Sequence, residues 1–200
     1  IELGYAIKTP ARDRPSTSSD GRWLVYETND YQGFQQVFLV NVFAQRNTNQ
    51  NAILVSRSQF DPNVGGNSHS LRPKISGDGS FVVFHSRADN LVAGDNNDVE
   101  DIFVYSVLDN RVFRLTNPVT GEEGNGASYY PDVNQDGSVI TFESRASNLS
   151  TGTPFSNGNR QIHLWSRNVS SSDNIRLVTT GNANNHLPSV SQDGRFITFA

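Results

Sequence analysis

The run Gly94-Asp95-Asn96-Asn97-Asp98-Val99-Glu100-Asp101 gathers oxygen ligands closely enough to do chemistry. Asp95, Asn97 and Asp101 alternate in a way that lets hard oxygens converge on Ca²⁺. The same residues suit an Asx-rich turn leading into a strand, in which short polar side chains bond nearby backbone. The spacing departs from the EF-hand loop. The corresponding stretch further along, Ser156-Asn157-Gly158-Asn159-Arg160-Gln161, has no carboxylate. Asp95, Asn97 and Asp101 are therefore the candidate metal ligands and Ca²⁺ the one candidate cofactor, set against a cofactor-free loop.

The histidines do not share a metal-binding spacing. His69 and His186 stand four and two residues before Pro73 and Pro188, with no His-x-x-x-His pair, so surface hydrogen bonding is expected rather than ligation. Tyr129 and Tyr130, beside Glu122 and Glu123, suit a sugar- or peptide-binding patch or simple local packing. Together His69, Arg87, Tyr129, Tyr130, Arg145 and His186 form the candidate binding face. No Gly-x-Ser-x-Gly elbow, phosphate-binding glycine loop or His-Glu-x-x-His helix occurs in the chain, so no catalytic or cofactor-binding residue is assigned.

These residues are placed by a repeat. Pro73-Lys74-Ile75-Ser76-Gly77-Asp78-Gly79-Ser80 has counterparts starting at Pro15, Pro131 and Pro188, and Asp20, Asp78, Asp136 and Asp193 recur every 57–58 residues. Each unit reads as four strands. Strand a opens at the proline, where no ladder donor is needed, and Asp-Gly turns the chain. Strand b (Trp23–Tyr26, Phe81–Phe84, Val139–Phe142, Phe196–Phe199) is apolar on both faces and must be covered on both. Strand c includes Gln36–Val40, Asp101–Tyr105 and Gln161–Trp165. Strand d, with Arg114 and Arg176 in its pattern, reads as the exposed outer strand. Two alignments stand out: His85 falls where the other units have Glu27 and Glu143, and His163 falls where they have Phe38 and Phe103, a core position. Gly66-Asn67, Gly124-Asn125 and Gly181-Asn182 precede successive prolines at one distance, which suggests a turn needing positive φ.

A constant period of this size without helical periodicity implies a radial repeat, and four antiparallel strands per unit describe an all-β fold, a β-propeller of four-stranded blades. The expected division is a single propeller segment over 1–200: the end of a preceding blade at 1–10, blades at 11–70, 71–128 and 129–186, and the first two strands of another at 187–200. The chain reads as part of a longer one. The Asp-Gly and c–d turns share one end. The longer loops, Arg87 to Glu100, Arg145 to Arg160, Ser58 to Leu71 and Asn117 to Tyr129, share the other, which is where binding is expected.

The Pro-x-x-Ser-x-Asp-Gly core, the strand b aromatic and the Asp101-Ile102-Phe103-Val104 stretch resemble the TolB-type, WD-like β-propeller repeats of bacteria. Ser86-Arg87-Ala88-Asp89-Asn90-Leu91 and Ser144-Arg145-Ala146-Ser147-Asn148-Leu149 are similar to one subgroup. The chain departs from the TolB pattern where that pattern has Trp before the Ser and Pro before Asp-Gly. The resemblance implies protein–protein contact, or a propeller appended to another domain, and transfers no catalytic residue.

A net charge of −4 leaves no basic footprint for nucleic acid. No apolar run is long enough for membrane insertion by a helix. With no cysteine, disulfides and thiolate metal sites are excluded. An Asn-, Ser- and Thr-rich surface poor in Lys associates the chain with an extracytoplasmic location. The expected function is a non-catalytic scaffold or recognition module, contacting a protein partner or copies of itself. The competing expectation is a carbohydrate-binding or hydrolytic propeller that uses the long-loop face.

Overall fold

The computed structural model describes residues 15–29, 32–44, 52–117, 122–150, 158–167 and 174–200. The stretch 1–10, expected to close a preceding blade, lies outside them. Among the described residues there is no helix, and hence none long and apolar enough to cross a membrane. The first sheet holds β1 (Ser16–Thr17), β2 (Trp23–Asn29), β3 (Gln35–Asn41) and β4 (Ala52–Leu54). The second holds β5 (Ser70–Ile75), β6 (Phe81–Ser86), β7 (Asp101–Ser106) and β8 (Arg111–Arg114). The third holds β9 (Ser128–Val133), β10 (Val139–Ser144), β11 (Gln161–Ser166) and β12 (Ile175–Leu177), and β13 (Ser189–Val190) pairs with β14 (Ile197–Thr198). Within each sheet the strands follow chain order, all antiparallel. The opening strands β1, β5, β9 and β13 lie against one another in succession, and no comparable contact joins the fourth strands. The sheets therefore fan outward from an axis lined by their first strands, as blades do.

The repeated turn is self-supporting. Ser76 Oγ donates to Asp78 Oδ1 at 2.6 Å and accepts the Phe81 N–H at 3.0 Å, while Asp78 accepts the Ser80 N–H at 2.9 Å. Gly79 sits at φ +76°, where a Cβ would be strained. Each turn also bonds the next: Ser19 N–H to Gly77 O, Asp78 N–H to Gln135 O and Gln135 N–H to Gln192 O, at 2.7–3.0 Å. That lacing fixes the rotation from one blade to the next.

Both faces of β6 are covered, as its composition required, whereas in the last copy of the second strand Phe196 and Phe199 are exposed. Val82 and Phe84 of β6 face the first sheet, packing with Val25, Leu39 and Phe103, while Val83 faces Ile140 and Phe142 of the third. Each blade carries one stacked cross-strand ring pair. Tyr26–Phe38, Phe84–Phe103 and Phe142–His163 have centroids 5.9, 5.6 and 5.5 Å apart. His163 thus substitutes for a phenyl ring, and burial pushes its imidazole down to about 4.

Three expectations change. In the second and third blades the first strand begins before the proline, at Ser70 and Ser128, because a bulge between Leu71 and Lys74, and its counterpart in β9, carries pairing past a residue that cannot donate, whereas β1 and β13 begin just after theirs. The boundaries at 71 and 129 therefore fall inside β5 and β9. The recurrent glycines do not need positive φ, since neither Gly66 nor Gly124 has it. Gly66 and Gly124 need room: a Cβ on Gly66 would lie 2.8 Å from Ala88 Cβ and 3.0 Å from Leu91 Cδ2, and one on Gly124 would lie 3.3 Å from Leu149 Cδ2. The Ser-Arg-Ala-x-Asn-Leu segment clasps that loop. Asn67 and Asn125 N–H groups donate to Asn90 and Asn148 Oδ1, and Ser86 and Ser144 hydroxyls meet those of Ser70 and Ser128. Finally, Arg114 is buried rather than displayed on an outer strand, with its side chain 6% exposed.

Candidate functional site

At the start of each third strand a buried polar residue ties the long-loop end together. Gln36 and Gln161 each accept from a hydroxyl, Ser56 or Thr179, and donate to the backbone of the loop ahead, at Gly66 O and Gly181 O. Asp101 holds the same place in the second blade but has no N–H to give. Asn97 supplies it, donating from Nδ2 to Asp101 Oδ2 at 3.0 Å and to Gly124 O at 3.1 Å. Asn97 therefore turns its amide, not its oxygen, toward Asp101.

Arg114 enters the same spot from β8. Its Nη1 lies 3.0 Å from Asp95 Oδ1, 3.6 Å from Asp101 Oδ2 and 2.8 Å from Glu123 Oε1, and its Nη2 donates to Gly94 O. The three residues proposed as calcium ligands thus surround a guanidinium directly or through Asn97. Among the described residues, no three His, Cys, Asp or Glu side chains are grouped to hold a metal ion. One cation against three carboxylates leaves them under-compensated. Burial, with Asp101 next, pushes the Asp95 carboxyl up to about 6. Burial raises Asp101 too, against the bonds from Thr116 and Asn97.

The other cluster stands beside the axis, at the long-loop end of the first strands. Tyr129 OH donates to Glu100 Oε2 at 2.9 Å, and the Arg160 guanidinium lies over its ring, 4.8 Å from the centroid. Arg160 also bonds Glu143 Oε1 at 2.6 Å, and His186 Nδ1 lies 3.3 Å from Glu143 Oε2. Glu143 is fully buried. His85, also buried, meets Tyr129 edge-on at 5.5 Å and Tyr130 at 5.8 Å, and Arg72 lies over Tyr130 at 5.4 Å. Burial, reinforced by Arg72, drives the His85 imidazole down to about 3, so it is neutral at any physiological pH.

Of the six residues assigned to the binding face, Tyr129, Tyr130 and His186 belong to this cluster. Both tyrosines lie in β9, not in a loop. Arg145 is exposed and makes no ion pair among the described residues. Arg87 reaches Asp98 at 3.0 Å in the open, a contact worth little. His69 lies apart, accepting the Gln35 N–H at 3.0 Å beside Phe34. Sequence reasoning left out Glu143, Arg160, Arg72, Glu100 and His85. The alignment of His85 with two glutamates was the available signal for two of them, His85 and Glu143, whereas Arg160, Arg72 and Glu100 become visible only in the folded chain.

The arrangement is that of a β-propeller: radial four-stranded blades, with polar groups and rings gathered where the innermost strands meet the longer loops. No protein-family model and no curated relative matches the sequence. Solved structures do. The chain is similar to TolB from Acinetobacter baumannii at 18% identity and a TM-score of 0.57, over 92% of this chain and 36% of that one. It is also similar to the tricorn protease (11% identity, TM-score 0.58, 90% of this chain and 18% of that one). A structure of prolyl endopeptidases matches at 15% identity and a TM-score of 0.55, over 94% and 25% of the two chains. The chain spans about a third or less of each, and the fold is the TolB-type propeller fold.

Proposed function

We propose that this chain is a non-catalytic recognition module, acting outside the cytoplasm, whose long-loop face contacts a protein partner or a second copy of the chain. The observation that carries this reading is the state of Glu143. As the buried carboxylate of the axial cluster it is the natural candidate for a general base, yet it is engaged by Arg160, His186 and the Leu187 N–H. A base must keep a lone pair for the substrate proton. What the face presents outward instead is rings and guanidinium groups, Tyr129, Arg145 and Arg160, the types enriched in protein interfaces.

Two of the similar structures are named as peptidases, and their names are the support for a hydrolytic alternative. A photoreactive residue placed at Arg145, on the long-loop face, and separately at Ser80, on the tight-turn face, tests the proposal in the producing cell. Defined adducts from position 145 and none from 80 support recognition through the long loops. Adducts from both or neither, or hydrolysis of peptide or glycoside substrates that Glu143→Gln abolishes, would refute it. Sedimentation equilibrium distinguishes a foreign partner from a second copy.

A further inference from the structure

Successive blades meet along seams of one design, and one seam departs from it. The residue before the repeat proline at Pro73, Pro131 and Pro188, namely Arg72, Tyr130 or Leu187, sits at φ +55°, +51° and +51°, a conformation that side chains other than glycine seldom adopt. In two of the three, the N–H so displaced meets a carboxylate of the preceding blade. Glu27 takes the Arg72 N–H at 2.7 Å, and Glu143 takes the Leu187 N–H at 3.3 Å. Two residues after the proline a second N–H crosses the same seam. Ser16 Oγ takes the Ile75 N–H at 3.3 Å, and Asp132 Oδ2 takes the Val190 N–H at 2.9 Å and the Ser189 hydroxyl at 2.8 Å.

Between the second and third blades, those two acceptor places hold His85 and Lys74. An ammonium group has no lone pair to offer. His85 Nδ1 is buried and has no partner. The seam thus meets neither Tyr130 nor Val133 with the acceptor that its neighbours supply, and it has lost a negative charge and gained a positive one. It adjoins an axial cleft of about 210 Å³, whose lining includes Arg72, Lys74, Tyr130 and Leu187, together with Asp132, whose Oδ2 already accepts from Ser189 and Val190. Lys74 is exposed there and makes no ion pair among the described residues.

We propose that this seam binds a carboxylate from the axial cleft, the ligand standing in for the glutamate that both flanking seams carry. Its oxygen accepts the Tyr130 N–H, the neutral His85 ring offers it an N–H, and Lys74 with Arg72 supplies the positive charge. The class follows from the neighbours, where the same backbone is met by planar side-chain carboxylates. A small free acid and the terminus of a chain share that chemistry. The inference rests on the seam and not on the recognition reading, which can fail without it.

The test is titration of the ¹⁵N-labelled chain with acetate and, separately, with acetamide, which has the same shape but no charge. A saturable shift of the Tyr130 amide by acetate and not by acetamide is expected. His85→Glu should abolish it by filling the place from within, and Lys74→Gln should weaken binding about tenfold, as loss of a charged contact does. If the glutamate variant fails to fold, the lysine variant decides. A Tyr130 amide that ignores acetate, or follows both probes alike, means that the seam holds water only and overturns the proposal. So does unchanged affinity in either folded variant. A tripeptide acid that binds more tightly than acetate, while its amide does not bind, identifies the chain terminus as the source. Equal binding of the two acids identifies the small acid.

Discussion

Replacing one glycine by alanine in two equivalent places should have opposite effects. Gly66 and Gly181 precede Pro73 and Pro188, equivalent positions two repeats apart, at one distance, and neither has φ in the left-handed region. At Gly66 a methyl would stand 2.8 Å from Ala88 Cβ and 3.0 Å from Leu91 Cδ2, inside the clasp of the Ser86–Leu91 segment. Ala88 and Leu91 are themselves buried, at 0% and 2% exposure, so neither can yield without moving the first core. Overpacking of that kind costs about 1–3 kcal/mol. At Gly181, among the described residues, the nearest atom to the new methyl is Ala183 N at 3.9 Å, an ordinary contact. There the loss of unfolded-state freedom should dominate and stabilise by about 0.4–1 kcal/mol. Urea unfolding followed by tryptophan fluorescence measures both, and a change in midpoint at constant slope reports stability. Adding Ala88→Gly to Gly66→Ala removes the closest clash and should recover part of the loss. Equal destabilisation by both alanines, or a Gly66→Ala cost below about 0.5 kcal/mol, would refute the clasp as the reason for the glycine.

Phe84 is fully buried and stacked on Phe103, so Phe84→Ala should cost about 3–5 kcal/mol; a loss below about 1 kcal/mol in the same assay contradicts its place between two blades. Asp95 holds its proton more tightly folded than unfolded, with a carboxyl pushed from 3.8 to about 6. Its contribution therefore makes stability fall as pH rises between those values, and Asp95→Asn should flatten that part of the profile. His163 has the opposite sign. Its imidazole is pushed from 6.5 to about 4, so the unfolded chain takes up the proton first and stability falls as pH drops through that window. His163→Phe, which restores the ring pair of the other blades, should remove that acid sensitivity, and an unchanged profile would show that the ring is not held neutral by burial. With Arg114 among the loop carboxylates, EGTA should leave the melting temperature unchanged, and a drop of several degrees that calcium reverses would place a metal there.

The blade was legible because its parts are local. The proline, Asp-Gly and the aromatic six residues after the aspartate define one hairpin by turn chemistry, and doubly apolar strands state that something must cover both faces. The candidate site was legible only in part. Tyr129, Tyr130 and His186 stood out in the sequence as candidates, but the partners that draw them into one cluster come largely from other blades, and no spacing in one unit reveals a neighbour across a seam. Arg114 was misread for a different reason, since its partners lie in its own unit. An arginine in an alternating strand looks solvated until Asp95 and Glu123, from two different loops, and Asp101, at the start of β7, are brought around it.

By itself the sequence determined the repeat, the hairpins and the positions that must be buried, since these depend on side chains and turns within one unit of 57–58 residues. It also carried the signature of an unusual seam, a histidine aligned with two glutamates, without saying what that residue faces. Only the tertiary structure decided that Glu27 and Glu143 cap a backbone N–H of the following blade, and that His85 leaves the same place without an acceptor. Hydrogen bonds between blades join residues some 45 positions apart. Their geometry depends on how one sheet is rotated against the next, which the packing of the two cores and the lacing of the Asp-Gly turns set together.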